Sequence, residues 1–310
     1  MELEYTGERV VPGMAITYGV IEHLHRYAIA REFCGGRTVL DIASGEGYGT
    51  SLLAAVAAFV YGVDISSDVV AHARAKYGAS NLSFLVGEAI AIPIDDRSVD
   101  VITCFETIEH LEKHEEMFAE FCRVLKPTGL LILSSPESSI YHRRDPDNKF
   151  HRKEIGQAEL RKLVNSHFRY GSYYNQMLVM GSLISPITND CSKMQYYSGS
   201  FSEIRKELPE HGLFNQPFFN LVICSNDHNT LNGASAKTSL FCGHQAYANE
   251  LDKLRNELDK VRNEVRKELD EVRHRLLSSQ SYRLGNLLLA PFRTIISGLR
   301  SARAMLSRTN

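Results

Sequence analysis

Apolar residues recur at helical spacing over about residues 17–34, stop at Gly35-Gly36, and give way to short apolar runs of strand length. The runs at about 38–43, 59–64, 82–86, 99–104 and 129–135 predict strands. The segments at about 48–57, 67–77 and 113–125 between them predict helices, and the last ends in Lys126-Pro127-Thr128-Gly129, a turn into Leu130-Leu131-Ile132-Leu133. Alternation of this kind builds a mostly parallel α/β sheet, because each helical crossover returns the chain in the same direction. After a polar loop at 141–154, segments around 167–175 and 219–225 predict two further strands at an antiparallel edge, making seven.

The pattern changes again after a polar stretch at about 226–237. Leu251, Leu254, Leu258, Val261, Val265, Leu269, Val272 and Leu276 recur in steps of three and four, with repeated Asn-Glu-Leu-Asp-Lys units. That narrow stripe predicts a short coiled coil, relaxed by a four-four step after Val261, and self-association. Beyond it, Leu284, Leu287, Phe292, Ile295, Ile296 and Leu299 are interspersed with arginine. From Val272 onward there are seven arginines and no acid, although the whole chain is near neutral at −2. An acid-free amphipathic helix predicts attachment to an anionic membrane surface. The tail lacks the interleaved aromatics of a strand-binding platform, so no nucleic acid is expected. The resulting division is 1–228 for the α/β domain, 229–246 for a linker, 247–279 for the coiled coil and 281–310 for the basic amphipathic segment.

Six cysteines are scattered without C-x-x-C spacing, several inside apolar runs, which predicts reduced core thiols and a cytoplasmic chain. No signal peptide is expected, and no apolar run approaches the roughly 18 residues of a spanning helix.

Candidate chemistry begins where the first strand enters Asp41-Ile42-Ala43-Ser44-Gly45-Glu46-Gly47-Tyr48-Gly49. Glycines there let backbone N–H groups approach a ligand, and the following helix turns its positive end to the same place. Asp64 ends the second strand where an acid can grip both ribose hydroxyls of a nucleotide-type cofactor. The glycine spacing departs from G-x-G-x-x-G, and Asp41 would repel a pyrophosphate but suits a ligand bearing an ammonium group. At this point the chain resembles the class I S-adenosylmethionine-dependent methyltransferases, whose first motif is a D-x-G-x-G-x-G loop. Asp41, Gly45, Gly47 and Asp64 match it, and Ala43 replaces the usual first glycine. The resemblance continues through Gly87-Glu88-Ala89, Ile92 to Asp100 and Leu125 to Gly129, covering about residues 37–135. It implies a doubly wound Rossmann-like fold and S-adenosylmethionine as cofactor. The implied contacts come from Asp41, Ala43, Gly45, Gly47, Asp64, Ile65, Glu88, Ala89 and Phe105, with Arg26 for the methionyl carboxylate.

The acceptor chemistry is expected just past strand four, at Phe105-Glu106-Thr107-Ile108-Glu109-His110. In a helical turn, Glu106, Glu109 and His110 share one face. Two readings follow. His110 is a general base for a substrate hydroxyl, or Glu106, Glu109 and His110 bind Mg²⁺ or Mn²⁺ with His151 as a further ligand. The second spacing is similar to that of some small-RNA 2′-O-methyltransferases and ubiquinone-pathway O-methyltransferases. His23, His25, His72, His114, His142 and His167 have no such spacing and are expected to be solvated.

The stretch Tyr5-Thr6-Gly7-Glu8-Arg9-Val10-Val11-Pro12, expected as part of a lid, resembles a bacterial subgroup associated with cell-surface glycans of the O-antigen type. His25-Arg26-Tyr27, Phe150-His151, Gln176 and Gly181-Ser182 share that resemblance. It implies a sugar hydroxyl on a surface polysaccharide or lipid-linked saccharide as acceptor, at the cytoplasmic face of the inner membrane; Tyr173, Tyr174, Tyr196 and Tyr197 are candidates to stack on the rings. Two alternatives stand beside it: a small-molecule or quinone-type O-methyltransferase, and a non-catalytic coiled-coil membrane scaffold that retains the cofactor fold.

Overall fold

The computed structural model describes residues 10–11, 18–144, 148–178, 196–199, 204–207, 218–233, 239, 241, 244–279 and 283–290. Residues 1–9, Gly181-Ser182, Cys191, Cys242 and 291–310 lie outside them, as do the side chains of His142, Tyr196, Tyr197, Leu251, Leu254 and Leu276. The chain divides into two units, residues 1–243 and 244–310.

In the first unit, helix α1 (Tyr18–Cys34) precedes β1 (Thr38–Ile42), α2 (Tyr48–Ala54), β2 (Phe59–Asp64), α3 (Ser67–Lys76), β3 (Leu82–Val86) and β4 (Val99–Phe105). A 3₁₀ turn (Ile108–His110), α4 (His114–Val124) and β5 (Leu125–Pro136) follow. Then come α5 (Ser138–Arg144), α6 (Gln157–His167), β6 (Tyr170–Gln176), a two-stranded ribbon of β7 (Tyr196–Gly199) and β8 (Ile204–Glu207), β9 (Phe219–Ser225) and α7 (His228–Gly233). The main sheet has seven strands in the order β3-β2-β1-β4-β5-β9-β6. Its first five are parallel, and β9 runs antiparallel between β5 and β6. The two edge segments expected from the sequence therefore pair with each other, with β9 the reversed strand.

Strand order reverses between β1 and β4, so the chain leaves their carboxyl ends toward opposite faces and opens a crevice there. Alternation along the strands fills both faces. Leu40, Ile42, Ile102 and Cys104 pack with Phe118 and Phe121 of α4 and Leu160 and Val164 of α6. Val39, Val101 and Ile132 pack with Tyr27 and Ala30 of α1, Leu53 of α2 and Leu231 of α7. The polar stretch after β9 thus begins with a helix that closes the sheet. Cys34, Cys104 and Cys224 are buried free thiols, and burial pushes each above its ordinary range, as inert core thiols require.

One polar side chain joins the elements around the crevice. Asp41 is 1% exposed and accepts hydrogen bonds from Thr50 Oγ1 (2.7 Å), Thr103 Oγ1 (2.7 Å) and Tyr27 Oη (3.3 Å), which come from α2, β4 and α1. The Tyr27 ring stands edge-on to Phe105, 5.1 Å between centroids, and covers the backbone of Gly49. A Cβ at Gly49 would lie 1.9 Å from Tyr27 Cζ, which accounts for the third glycine of the loop.

Gly49→Ala is therefore expected to cost about 1–3 kcal/mol by overpacking, measured by urea unfolding. Gly35→Ala, which meets nothing within 4 Å, serves as the control and is expected to stay within about 0.5 kcal/mol; equal losses would contradict the assignment. Burial raises the Asp41 carboxyl from 3.8 to about 6, against the opposing pull of its three hydroxyl donors. A carboxyl that holds its proton more tightly when folded stabilises below its unfolded value, and that contribution is lost as pH rises through about 6. Asp41→Asn removes this decline, so the variant should gain on wild type by about 3 kcal/mol between pH 3 and pH 7. Parallel stability curves would contradict it.

Candidate active site

The loop after β1 is braced from three sides. Asp41 holds its base, and Asp64 at the end of β2 accepts from the Gly45 N–H (2.9 Å) and the Ser66 N–H (3.0 Å). Glu46, 1% exposed between the glycines, takes Lys76 Nζ (2.5 Å), Tyr77 Oη (2.7 Å) and His72 Nε2 (3.2 Å) from α3 and the residue after it. Ala43, Gly45 and Gly47 all have positive φ, at 56°, 55° and 97°. Alanine in the left-handed region costs more than glycine, so Ala43 stores strain at this turn.

The surface beside the loop fits the implied cofactor. Ile65, next to Asp64, is 68% exposed, and Val86 across the β2–β3 pair is 49% exposed. Gly87, which leads into Glu88 and Ala89, donates its N–H to the Asp64 carbonyl (3.0 Å). This is an apolar ledge flanked by an acid and by glycine backbone, the complement of an adenosine. Phe105 is 6% exposed and spends its ring on Tyr27, so only its backbone faces the crevice. Asp41 is likewise enclosed by its hydroxyl donors, at 1% exposure.

Arg26 of α1 is 1% exposed beneath the same edge. Its Nε donates to Gln176 Oε1 (2.7 Å), and the guanidinium lies 4.3 Å from the Phe219 ring centroid. Nη1 stands 3.3 Å from Glu106 Oε1 in an ion pair, and among the described residues neither Nη1 nor Nη2, both buried, has an acceptor at hydrogen-bond geometry. A buried guanidinium with donor capacity beyond its pairing to Glu106 and Gln176 fits an incoming carboxylate.

Glu106 departs from the expected geometry. Its φ is +50°, and the turn that follows is a three-residue 3₁₀ helix beginning only at Ile108. Glu106 is thereby directed to Ser134 Oγ (2.7 Å) and Arg26, away from the face shared by Glu109 and His110. Ligand atoms of Glu109, His110 and His151 instead lie within 4.8 Å of one another. The candidate metal set therefore loses Glu106 and keeps His151, which reaches the site because the Glu109 carbonyl accepts the N–H groups of Arg152 (2.8 Å) and Lys153 (3.1 Å). His110 Nδ1 is 3.0 Å from the Phe150 carbonyl; a carbonyl only accepts, so Nδ1 carries a proton in this contact. His151 Nδ1 lies 2.6 Å from Glu154 Oε1, and its ring stacks on Tyr141 at 5.0 Å.

Five histidines expected to be solvated are engaged, among them His25, whose Nε2 lies 2.8 Å from Ser239 Oγ and whose ring stacks on Phe241. His114 is buried with Nε2 at 2.7 Å from the Leu111 carbonyl, and His23 sits 3.1 Å from Tyr48 Oη. Burial, then the Arg26 charge, pushes His23 down to about 3. His72 meets Glu46, and His167 meets Glu115 at 3.4 Å. Spacing along the chain says nothing of these partners, which come from other elements. Thr103 and Ser134 left a fainter trace as lone hydroxyls within apolar strands. Cavities of about 270 Å³ and 460 Å³, lined respectively by Arg37 and Leu130 and by Lys126 and Arg169, lie at the amino ends of strands, away from this chemistry.

Residues 40–133 match the family described as a methyltransferase domain. A Mycolicibacterium smegmatis protein named "Probable S-adenosylmethionine-dependent methyltransferase" is 38% identical over 167 residues, 53% of this chain and 64% of that protein. A Mycobacterium tuberculosis protein of the same description is 36% identical over 165 residues, 52% and 60% of the two chains. The match thus spans less than two thirds of either relative. Among solved structures, a chain from the complex between a Haloferax volcanii methyltransferase activator and its candidate methyltransferase aligns over 68% of this chain and 92% of its own. That alignment has a TM-score of 0.50 at 22% identity, a likeness of fold. The segment from β1 to β5 is accordingly similar to methyltransferase domains, among them those of relatives described as S-adenosylmethionine-dependent.

Proposed function

We propose that the chain is an S-adenosylmethionine-dependent O-methyltransferase whose acceptor is a sugar hydroxyl of a bacterial surface polysaccharide or lipid-linked glycan. The observation that carries the reading is the convergence, at the carboxyl ends of β1, β2 and β4, of the braced glycine loop, Asp64 and a His110 oriented through Nδ1 by the Phe150 carbonyl. In this assignment Asp64 takes the ribose hydroxyls, Ile65, Glu88 and Ala89 border the adenine, and Arg26 takes the methionyl carboxylate. The bound cofactor supplies an electrophilic methyl group on a sulfonium. Asp41 and Asp64, which repel one another across the loop, give the crevice a negative field suited to that cation. With the cofactor held there, His110 Nε2 would accept the acceptor's hydroxyl proton as the oxygen bonds to the methyl carbon and the carbon–sulfur bond breaks, its electron pair returning to sulfur as a neutral thioether leaves. The glycan assignment draws on the subgroup resemblance, and two residues that carry it, Arg26 and Gln176, are hydrogen-bonded beneath the site.

A second reading is favoured by one observation, the approach of Glu109, His110 and His151 to within 4.8 Å. There Mg²⁺ or Mn²⁺ would lower the hydroxyl's pKa and orient it. For the rest of the chain we propose self-association through the C-terminal helix, and attachment of residues 281–310 to the cytoplasmic face of an anionic membrane. Among the described residues, no helix is long and apolar enough to cross one.

The test is transfer of labelled methyl from S-adenosylmethionine to defined lipid-linked saccharides. His110→Ala should lower the rate about 10²–10⁴-fold, and a fully active variant would defeat both readings. Activity surviving EDTA favours the base; loss restored by Mg²⁺ or Mn²⁺ favours the metal. Label entering quinones or fatty acids instead, the acceptor classes named for two other relatives, would overturn the glycan assignment.

A further inference from the structure

The second unit contains α8 (His244–Ser278), a helix of 35 residues, about 52 Å long. Leu258, Val261, Val265, Leu269 and Val272 form a stripe along it, each between 51% and 68% exposed. A helix with so narrow an apolar seam gains little stability alone and is normally buried against a partner with a matching seam.

The charges beside the seam carry further information. Residues 251–257 read LDKLRNE and 258–264 read LDKVRNE, a near-identical heptad repeat. With Leu258 and Val265 at position a and Val261 at d, Arg255 and Arg262 fall at e, while Glu257 and Glu264 fall at g. The four-four step after Val261 then resets the frame. Leu269 takes a, Val272 takes d, Glu268 the preceding g and Arg273 the following e. On both sides of the reset the g residues are glutamates and the e residues arginines.

We infer that the seam is filled by the α8 of a second copy of this chain, aligned parallel and in register. In that arrangement each g residue faces the e residue of the next heptad in the other copy. Glu257 of one copy meets Arg262 of the other, and Glu268 meets Arg273, in both directions. An antiparallel pair sets g against g and e against e, juxtaposing glutamate with glutamate and arginine with arginine. The charge pattern selects against the reversed alignment while leaving the apolar seam equally buried. Parallel alignment also brings the two acid-free segments after Val272 to one end of the coil. The inference rests on the self-association proposed above and is independent of methyl transfer.

Sedimentation equilibrium of the whole chain tests it. Wild type should self-associate, and Glu257→Arg should weaken association about fivefold or more. The double variant Glu257→Arg with Arg262→Glu should restore it to within about twofold, and the difference should shrink in high salt. Val272→Cys lies away from the middle of the seam, and on oxidation it should cross-link to its own counterpart above the wild-type background. A monomeric wild type overturns self-association and the inference together. An oligomer in which Glu257→Arg does not weaken association, or in which Val272→Cys fails to cross-link, overturns the parallel register alone.

Discussion

A buried carboxylate at the end of β1 holds the crevice together. Asp41 gathers hydroxyls from α1, α2 and β4, so the strand that carries the glycine loop, the helix that follows it and the strand that leads to His110 share one acceptor. Burial makes this arrangement costly, since it lifts the carboxyl to about 6 despite three donors. What the cost supports is geometry. With Asp64 bonded to Gly45 and Glu46 bonded to α3, the loop is braced in a left-handed path that includes the strained Ala43. A site organised before its ligand arrives loses less on binding than one that must order itself.

The charges around that crevice are separated. Asp41 and Asp64 supply negative charge on the β1–β2 side, while the buried Arg26 guanidinium stands beside Glu106 and Gln176. A ligand with a cationic centre and a carboxylate finds a counterpart for each. Glu106 neutralises Arg26 and is held there by Ser134, so the buried guanidinium is not left wholly uncompensated. His110 and His151 stand edge-on to one another, with Tyr141 stacked on His151.

Much of the fold was legible because hydrophobic period is a local signal. The strand run Phe59–Asp64 and the polar Ser66 before α3 announce themselves in a few residues, and Ser66 Oγ does cap that helix at Val69. The edge strands were harder, yet Leu221 to Cys224 is apolar enough to declare a buried strand. Glu106 was misread because its face depends on a positive φ, which the sequence around it does not require. The spacing E-x-x-E-H describes a helix, and the chain makes a shorter turn starting two residues later. His114 and His23 were misread for different reasons: His114 turns back onto carbonyls of the turn just before it, which side-chain spacing does not report, and the partner of His23, a tyrosine of α2, is set by tertiary packing. Glu46 was passed over as a loop acid although it is the loop's anchor to α3. Its signal was a charged residue between two glycines at a point where the backbone must be held still.

The central claim, that this crevice is built for S-adenosylmethionine, is tested most directly by calorimetric titration of the whole chain with that compound. Wild type should bind one molecule per chain. Ile65→Asp alters only the exposed apolar ledge, so it should weaken binding at least about tenfold while leaving the unfolding temperature unchanged. Absence of binding to the wild type, or equal affinity for both proteins, would contradict the account.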